Sequence, residues 1–164
     1  MKILVVYYSW SGKTELVASS ICKVLNADLK KIEEVKKRRR FFVYISGGYS
    51  AIKGKCSRIK PLNFNLNSYD LIFLGTPVWA SRPSPAVNAF ISNSNFNGKK
   101  VVLFVVMDSS GSENAIKIMR NKIKAKEGKI IASFEVKTGR ISDEDVIKRG
   151  EEIGKEFLAR KDKD

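Results

Sequence analysis

The stretch Tyr69-Asp70-Leu71-Ile72-Phe73-Leu74-Gly75-Thr76-Pro77-Val78-Trp79 decides how this chain folds. Its residues 71–75 form a short apolar run with no alternation of polar side chains, as expected of a parallel strand covered on both faces. A helix is expected just after it at residues 85–91, with Pro83 and Pro85 near its start, where proline is tolerated. Working outward, the same strand-then-helix unit recurs. Residues 3–8, Ile3-Leu4-Val5-Val6-Tyr7-Tyr8, are again continuously apolar, and residues 15–25 place Leu16, Val17, Ser20, Ile21, Val24 and Leu25 at helical spacing. Residues 28–32 read as a weaker edge strand. Residues 101–107 are the most apolar strand, and 113–125 a helix with Ala115, Ile116, Met119 and Ile123 on one face. Residues 130–136 form the fifth strand. Ser142-Asp143-Glu144-Asp145 opens the last helix with a cap and an acidic first turn, and Arg160-Lys161 closes it, matching the helix dipole.

Five such units imply an α/β fold, a doubly wound five-stranded parallel sheet with helices on both faces. Right-handed crossovers and one reversal of winding give the strand order 2-1-3-4-5. No linker, low-complexity tract or repeat interrupts the 164 residues, so a single domain over 1–164 is expected. The crossover at 35–66 is the least regular part. Phe41, Phe42, Ile45, Tyr49 and Ile52 fall near helical spacing, but Gly47-Gly48 would break a helix there, leaving a short or broken helix within basic loop.

Composition narrows the chemistry. With 43% hydrophobic and 10% aromatic residues, a disordered chain is excluded. The apolar start ends at Ser9, and Lys13 and Glu15 follow without a cleavage pattern, so it reads as a core strand rather than a leader. No apolar run reaches the roughly 18 residues of a membrane span, and a soluble, cytoplasmic protein is expected. The chain has no histidine, which removes Ser-His and Cys-His nucleophiles and the usual zinc ligands. Cys22 and Cys56 fit no metal or redox spacing and read as reduced thiols. Difficult chemistry would therefore fall to a cofactor. The net charge is +14, and residues 30–60 hold 11 Lys/Arg against only Glu33 and Glu34, so much of the basicity is local.

In an open doubly wound sheet a ligand lies beyond the carboxyl ends of the strands, at the reversal of winding, here between the first and third strands. Three loops reach that point. Ser9-Trp10-Ser11-Gly12-Lys13-Thr14 joins a strand to a helix, and its hydroxyls, glycine and free helix-start N–H groups suit a phosphate, or else simply cap the helix. A nucleoside-triphosphatase loop would need glycine where Tyr7 stands, which excludes it. The loop Thr76-Pro77-Val78-Trp79-Ala80-Ser81-Arg82-Pro83 sets an indole among small neighbours, ready to stack on a planar ring or to cap the sheet edge. Asp108-Ser109-Ser110-Gly111-Ser112 offers N–H groups and hydroxyls to the polar edge of a heterocycle, or serves only as a turn. A phosphatase would need a cysteine in the first loop. A receiver domain would need acidic residues where Ser9 and Gly75-Thr76 stand.

Over nearly its whole length the sequence resembles flavodoxins of the short-chain type. Ser9-Trp10-Ser11-Gly12-Lys13-Thr14-Glu15 is similar to their phosphate loop, residues 69–79 to their third strand and aromatic loop, and 108–112 to the loop meeting the pyrimidine edge of the flavin. An uninterrupted fifth strand at 130–136 fits the short-chain type. The resemblance implies one non-covalent FMN, its phosphate on Ser9, Trp10, Ser11, Gly12, Lys13 and Thr14. Its ring system would lie between Thr76, Pro77, Val78, Trp79 and Ala80 on one side and Asp108, Ser109, Ser110 and Gly111 on the other. It also implies electron transfer with a redox protein. The chain departs from the family in being strongly basic where soluble carriers are acidic, and in following Trp79 with Ala80 and Ser81 rather than glycine. The second departure favours two-electron chemistry.

Two other readings share these residues. An FMN-dependent NAD(P)H:quinone-type oxidoreductase would use the same fold. A flavin-free basic module would use residues 30–60, where Lys/Arg interleave with Phe41, Phe42, Tyr44 and Tyr49, to hold nucleic acid or an anionic membrane. The same segment, including Lys36, Lys37, Arg38, Arg39 and Arg40, could instead dock an acidic partner, ferredoxin-like or a reductase.

Overall fold

The computed structural model describes residues 1–36 and 56–161. In chain order the elements are β1 (Ile3–Tyr7), α1 (Lys13–Leu25), β2 (Asp28–Lys31), a 3-10 turn (Leu66–Ser68), β3 (Leu71–Trp79), β4 (Arg82–Pro83), α2 (Pro85–Asn93), β5 (Lys100–Met107), α3 (Ser112–Lys124), β6 (Lys129–Lys137) and α4 (Asp143–Lys161). The sheet runs β2-β1-β3-β5-β6, all parallel, with β4 paired antiparallel to β3. Counting its five long strands alone, this is the expected 2-1-3-4-5 order.

Alternation along the strands sends successive side chains to opposite faces and makes two cores. Leu4, Val6, Ile72, Leu74, Leu103 and Val105 meet Ala86, Phe90, Met119 and Ile123 of α2 and α3. Val5, Phe73, Val102 and Phe104 meet Val17, Ile21, Val146 and Ile153 of α1 and α4. Helices α1 and α4 lie close enough that a Cβ at Gly150 would come within 2.7 Å of the Ser20 Cβ, and one at Gly154 within 2.8 Å of the Val24 Cβ. That contact explains why a serine is buried on an otherwise apolar helix stripe.

Three elements differ from expectation. β3 does not end at Gly75 but continues to Trp79, because β5 is long enough to pair with it as far as Pro77↔Val106. The presumed loop at 76–83 is thus a strand and a hairpin, in which Trp79↔Arg82 and Val78↔Pro83 close on the two-residue turn Ala80-Ser81. β6 is not uniform: Val101 pairs with Ile130 but Val102 with Ala132, leaving Ile131 as a bulge residue. Since one residue of slip exchanges the faces of a strand, Ile130 packs on the α2/α3 side while Ala132, Phe134 and Val136 belong to the α1/α4 core.

Residues 37–55, and with them most of the expected helix in the second crossover and of the basic segment, lie outside the described residues. On either side, Glu34 and Ile59 form an antiparallel bridge. Among the described residues no helix is long and apolar enough to cross a membrane.

Candidate functional site at the carboxyl ends of the strands

The loop after β1 is shaped by Gly12. It sits at φ +96° as the N-cap of α1, with no side chain capping the helix, and its N–H donates to Ser9 Oγ at 3.2 Å. An uncapped helix start presents first-turn N–H groups and the positive end of the dipole to whatever lies in front. The first turn is braced from below. Glu15 accepts from Lys31 Nζ at 2.7 Å and from the buried Tyr7 hydroxyl at 3.0 Å. The lysine bond is the main reason the Glu15 carboxyl titrates below its ordinary value. Burial, reinforced by Glu15, pushes the Tyr7 phenol well up, so it stays protonated and donating. Lys13 Nζ reaches Asp143 Oδ1 at 2.7 Å, tying the loop to the first turn of α4, where Ser142 caps by accepting from the Asp145 N–H at 3.1 Å.

Opposite, the Trp79 indole is held edge-on by Tyr8, with centroids 5.9 Å apart and planes at 86°. The hairpin turn beyond it is strained: Ala80 (φ 47°) and Ser81 (φ 58°) both adopt the left-handed conformation that glycine or asparagine normally supplies in such turns. Helix α3 holds the turn in place. Asn114 Nδ2 donates to the Ser81 carbonyl at 2.9 Å. Gly111, at φ +96°, passes so near that a Cβ there would lie 2.8 Å from the Ser81 Cα.

Between these walls lies a cleft of about 470 Å³, lined by Trp10, Ser11, Lys13, Thr14, Pro77, Val78, Trp79, Ala80, Val106, Met107, Asp108 and Thr138. All three loops singled out in the sequence reach it. Four of the other residues named there are placed differently. Ser9 faces a neighbouring cavity of about 830 Å³ on the far side of Trp10, with Lys31, Glu33, Glu34 and Lys60. Thr76 is fully buried, its hydroxyl accepting from the Ser84 N–H at 3.0 Å to set the start of α2. Ser109 and Ser110 are exposed beyond the rim. Gly12 and Gly111 shape the walls through the backbone.

Sequence reasoning missed Thr138 on the wall and Val106 and Met107 at the end of β5. Thr138 is carried in by the sheet, its N–H donating to the Met107 carbonyl at 2.8 Å while Gly139 N–H donates to the Asp108 carbonyl at 3.1 Å. Its signal was a threonine just past a strand end, on the same edge as the other loops.

A family model described as "Flavodoxin" matches residues 2–148. The chain belongs to the flavodoxin family. No curated protein matches it in sequence. Among solved structures, a Bacteroides uniformis protein superposes with a TM-score of 0.75 at 23% identity, covering 90% of this chain and 96% of that one. A Lactobacillus acidophilus flavoprotein, solved in complex with FMN, gives 0.71 at 23% identity over 82% and 92%. Oxidised Flavodoxin 2 from Bacillus cereus gives 0.64 at 22% over 98% and 99%. At such identities these neighbours bear on the fold. Membership in the flavodoxin family rests on the sequence match, and the cleft lies where a doubly wound sheet binds its ligand.

Proposed function

We propose that this protein, as one domain over 1–164, holds a single FMN non-covalently in the cleft and moves electrons through it. The observation that carries the reading is the pairing of an uncapped helix start with an indole wall across a cleft of about 470 Å³, a size within the roughly 300–1,000 Å³ of small-molecule sites. The donor set fits the cofactor. The N–H groups of the α1 first turn, with the hydroxyls of Ser11 and Thr14, would hold the phosphate. Trp79 would stack on the ring system and keep water from it, and Asp108 with its neighbouring backbone would meet the polar edge. When bound, FMN supplies one- and two-electron redox chemistry. The chain orients it and sets the charge around it. Lys13 contributes little free charge, since Asp143 already answers it.

The test is the visible absorption spectrum of purified protein, before and after adding FMN and removing the excess. A retained one-to-one flavin spectrum is the expected outcome, and protein that stays colourless would end the reading.

One observation favours a second reading, an FMN-dependent NAD(P)H:quinone-type oxidoreductase. Opposite Trp79 the loop Asp108-Ser109-Ser110 carries only small, exposed side chains and no aromatic. This leaves space for a second planar molecule on that side. Sustained NADH consumption with added quinone would establish it, and none with flavin-loaded protein would leave the carrier reading in place.

A further inference from the structure

The described cations are not paired evenly. The ion pairs found, those of Lys2, Lys13, Lys31, Lys60, Arg149 and Arg160, all involve residues of the β1, α1, β2 and α4 regions or the strand-like segment beside β2. From residue 99 to 129 the chain carries Lys99, Lys100, Lys117, Arg120, Lys122, Lys124, Lys126 and Lys129 against only Asp108, Glu113 and Glu127. Among the described residues none of those eight cations has a carboxylate partner. Three of them are fixed by neutral oxygens: Lys99 on the Tyr69 carbonyl at 3.0 Å, Lys122 on Asn88 Oδ1 at 2.8 Å, and Lys126 on the Ser92 carbonyl at 2.7 Å. Their positions are set while their charge stays uncompensated.

Of the others, Lys100 and Lys129 pair at the amino ends of β5 and β6, and the remaining three stand on α3. Lys117, Arg120 and Lys124 are exposed at helical spacing along about 10 Å of α3. A groove of about 640 Å³, lined by Glu113, Asn114, Ile116, Lys117, Arg120 and Ser133, runs between this helix and the edge strand β6. Asn114, at one end, is the residue that holds the Ser81 carbonyl in the hairpin of the flavin cleft. The groove, in which Lys117 and Arg120 outnumber Glu113, therefore begins at the wall of the cleft.

We infer that the α3–β6 face is the docking surface for an acidic protein that exchanges electrons at the cleft. The choice of partner rests on the electron-transfer reading above. Charge complementarity selects an acidic occupant, and the composition of the face selects a protein over nucleic acid. The half-buried Ile116, which lines the groove between Asn114 and Lys117, supplies apolar contact area beside the cations, the anatomy of a protein interface. No aromatic stacking platform for bases lines the groove. This surface is separate from residues 30–60, the docking candidate suggested by the sequence.

The test measures reduction of the flavin-loaded protein by a reduced, acidic iron–sulfur ferredoxin in stopped flow, from about 50 to about 500 mM salt. Wild-type protein should slow by tenfold or more across that range, as steered encounters do. K117E/R120E/K124E should be at least tenfold slower at low salt with a flattened salt dependence. The milder K117Q/R120Q/K124Q should fall between, and K148E/K155E on α4 should stay within twofold of wild type. Equal rates for wild type and the α3 variants, or equal slowing by the α4 control, would overturn the inference. Should the protein bind no FMN, the electron-transfer reading fails by itself. The surface is then read separately from amide shifts of the isotopically labelled protein titrated with oxidised ferredoxin. Shifts on α3 and β6 support the inference. Shifts confined elsewhere, or an α3 response to duplex DNA with none to ferredoxin, overturn it.

Discussion

Gly12 and Gly111 share one backbone conformation, φ +96°, and one role, N-cap of a helix beside the cleft, yet their surroundings differ. Nothing lies within 4 Å of where a Cβ on Gly12 would stand, whereas one on Gly111 would meet the Ser81 backbone and hydroxyl. The first wall is thus shaped by its own short sequence. The second is assembled from two separate pieces of the chain, the β3–β4 hairpin and the start of α3. A loop of the first kind depends on torsional preference, and one of the second kind also depends on space.

The largest effect should separate the two. Gly111→Ala combines a left-handed alanine with a collision against a turn that is itself strained, for a loss of about 2–4 kcal/mol. Gly12→Ala meets only the torsional term, about 1 kcal/mol. Urea unfolding of both variants measures the gap, and equal losses would erase the distinction. Next, Trp79→Ala should weaken FMN binding by about 10- to 100-fold, the ~1–3 kcal/mol typical of ring stacking, and shift the flavin potential. A fluorescence titration with unchanged affinity, together with an unchanged potential, would remove Trp79 from the site.

Ser81→Gly should raise stability by up to about 1 kcal/mol, because glycine takes the left-handed conformation without strain. A lower melting temperature would mean that the serine contacts outweigh the torsional cost. The smallest effect belongs to the locally built wall. The folded-state pKa of Glu15 lies below its unfolded value, so its contribution is present above roughly pH 4.3 and is lost as pH falls through the lower, folded value. Because the Glu15–Lys31 pair is about two-fifths exposed, the contribution should stay under about 1 kcal/mol. Unfolding midpoints between pH 3 and 6 should fall less steeply for Glu15→Gln than for wild type, and parallel curves would assign the acid sensitivity to other groups.

The two walls were also unequally legible. Ser11, Lys13 and Thr14 could be placed at the cleft from the sequence, because a strand running into a helix fixes where the turn between them lies. Trp79 was recognised as a wall, but its setting was misread as a loop. Pairing with β5 as far as Val106 depends on the length of a distant strand, and the reversal at Ala80-Ser81 lacks the glycine or asparagine that marks a two-residue hairpin. Thr76 was expected to face the ligand because of its hydroxyl, which is instead spent on the start of α2.

The alternation of apolar runs with amphipathic stretches determined the strand order, the two cores and the end of the sheet that holds the cleft. Those follow from local periodicity and from the handedness of the crossovers, both carried by neighbouring residues. Only the tertiary structure decided that Asn114 and Gly111 hold the hairpin, that Thr138 joins the wall, and that Lys117 and Arg120 of α3 line a groove with Asn114 at one end. Each of these depends on distances between residues remote in the chain, which spacing along the sequence does not encode.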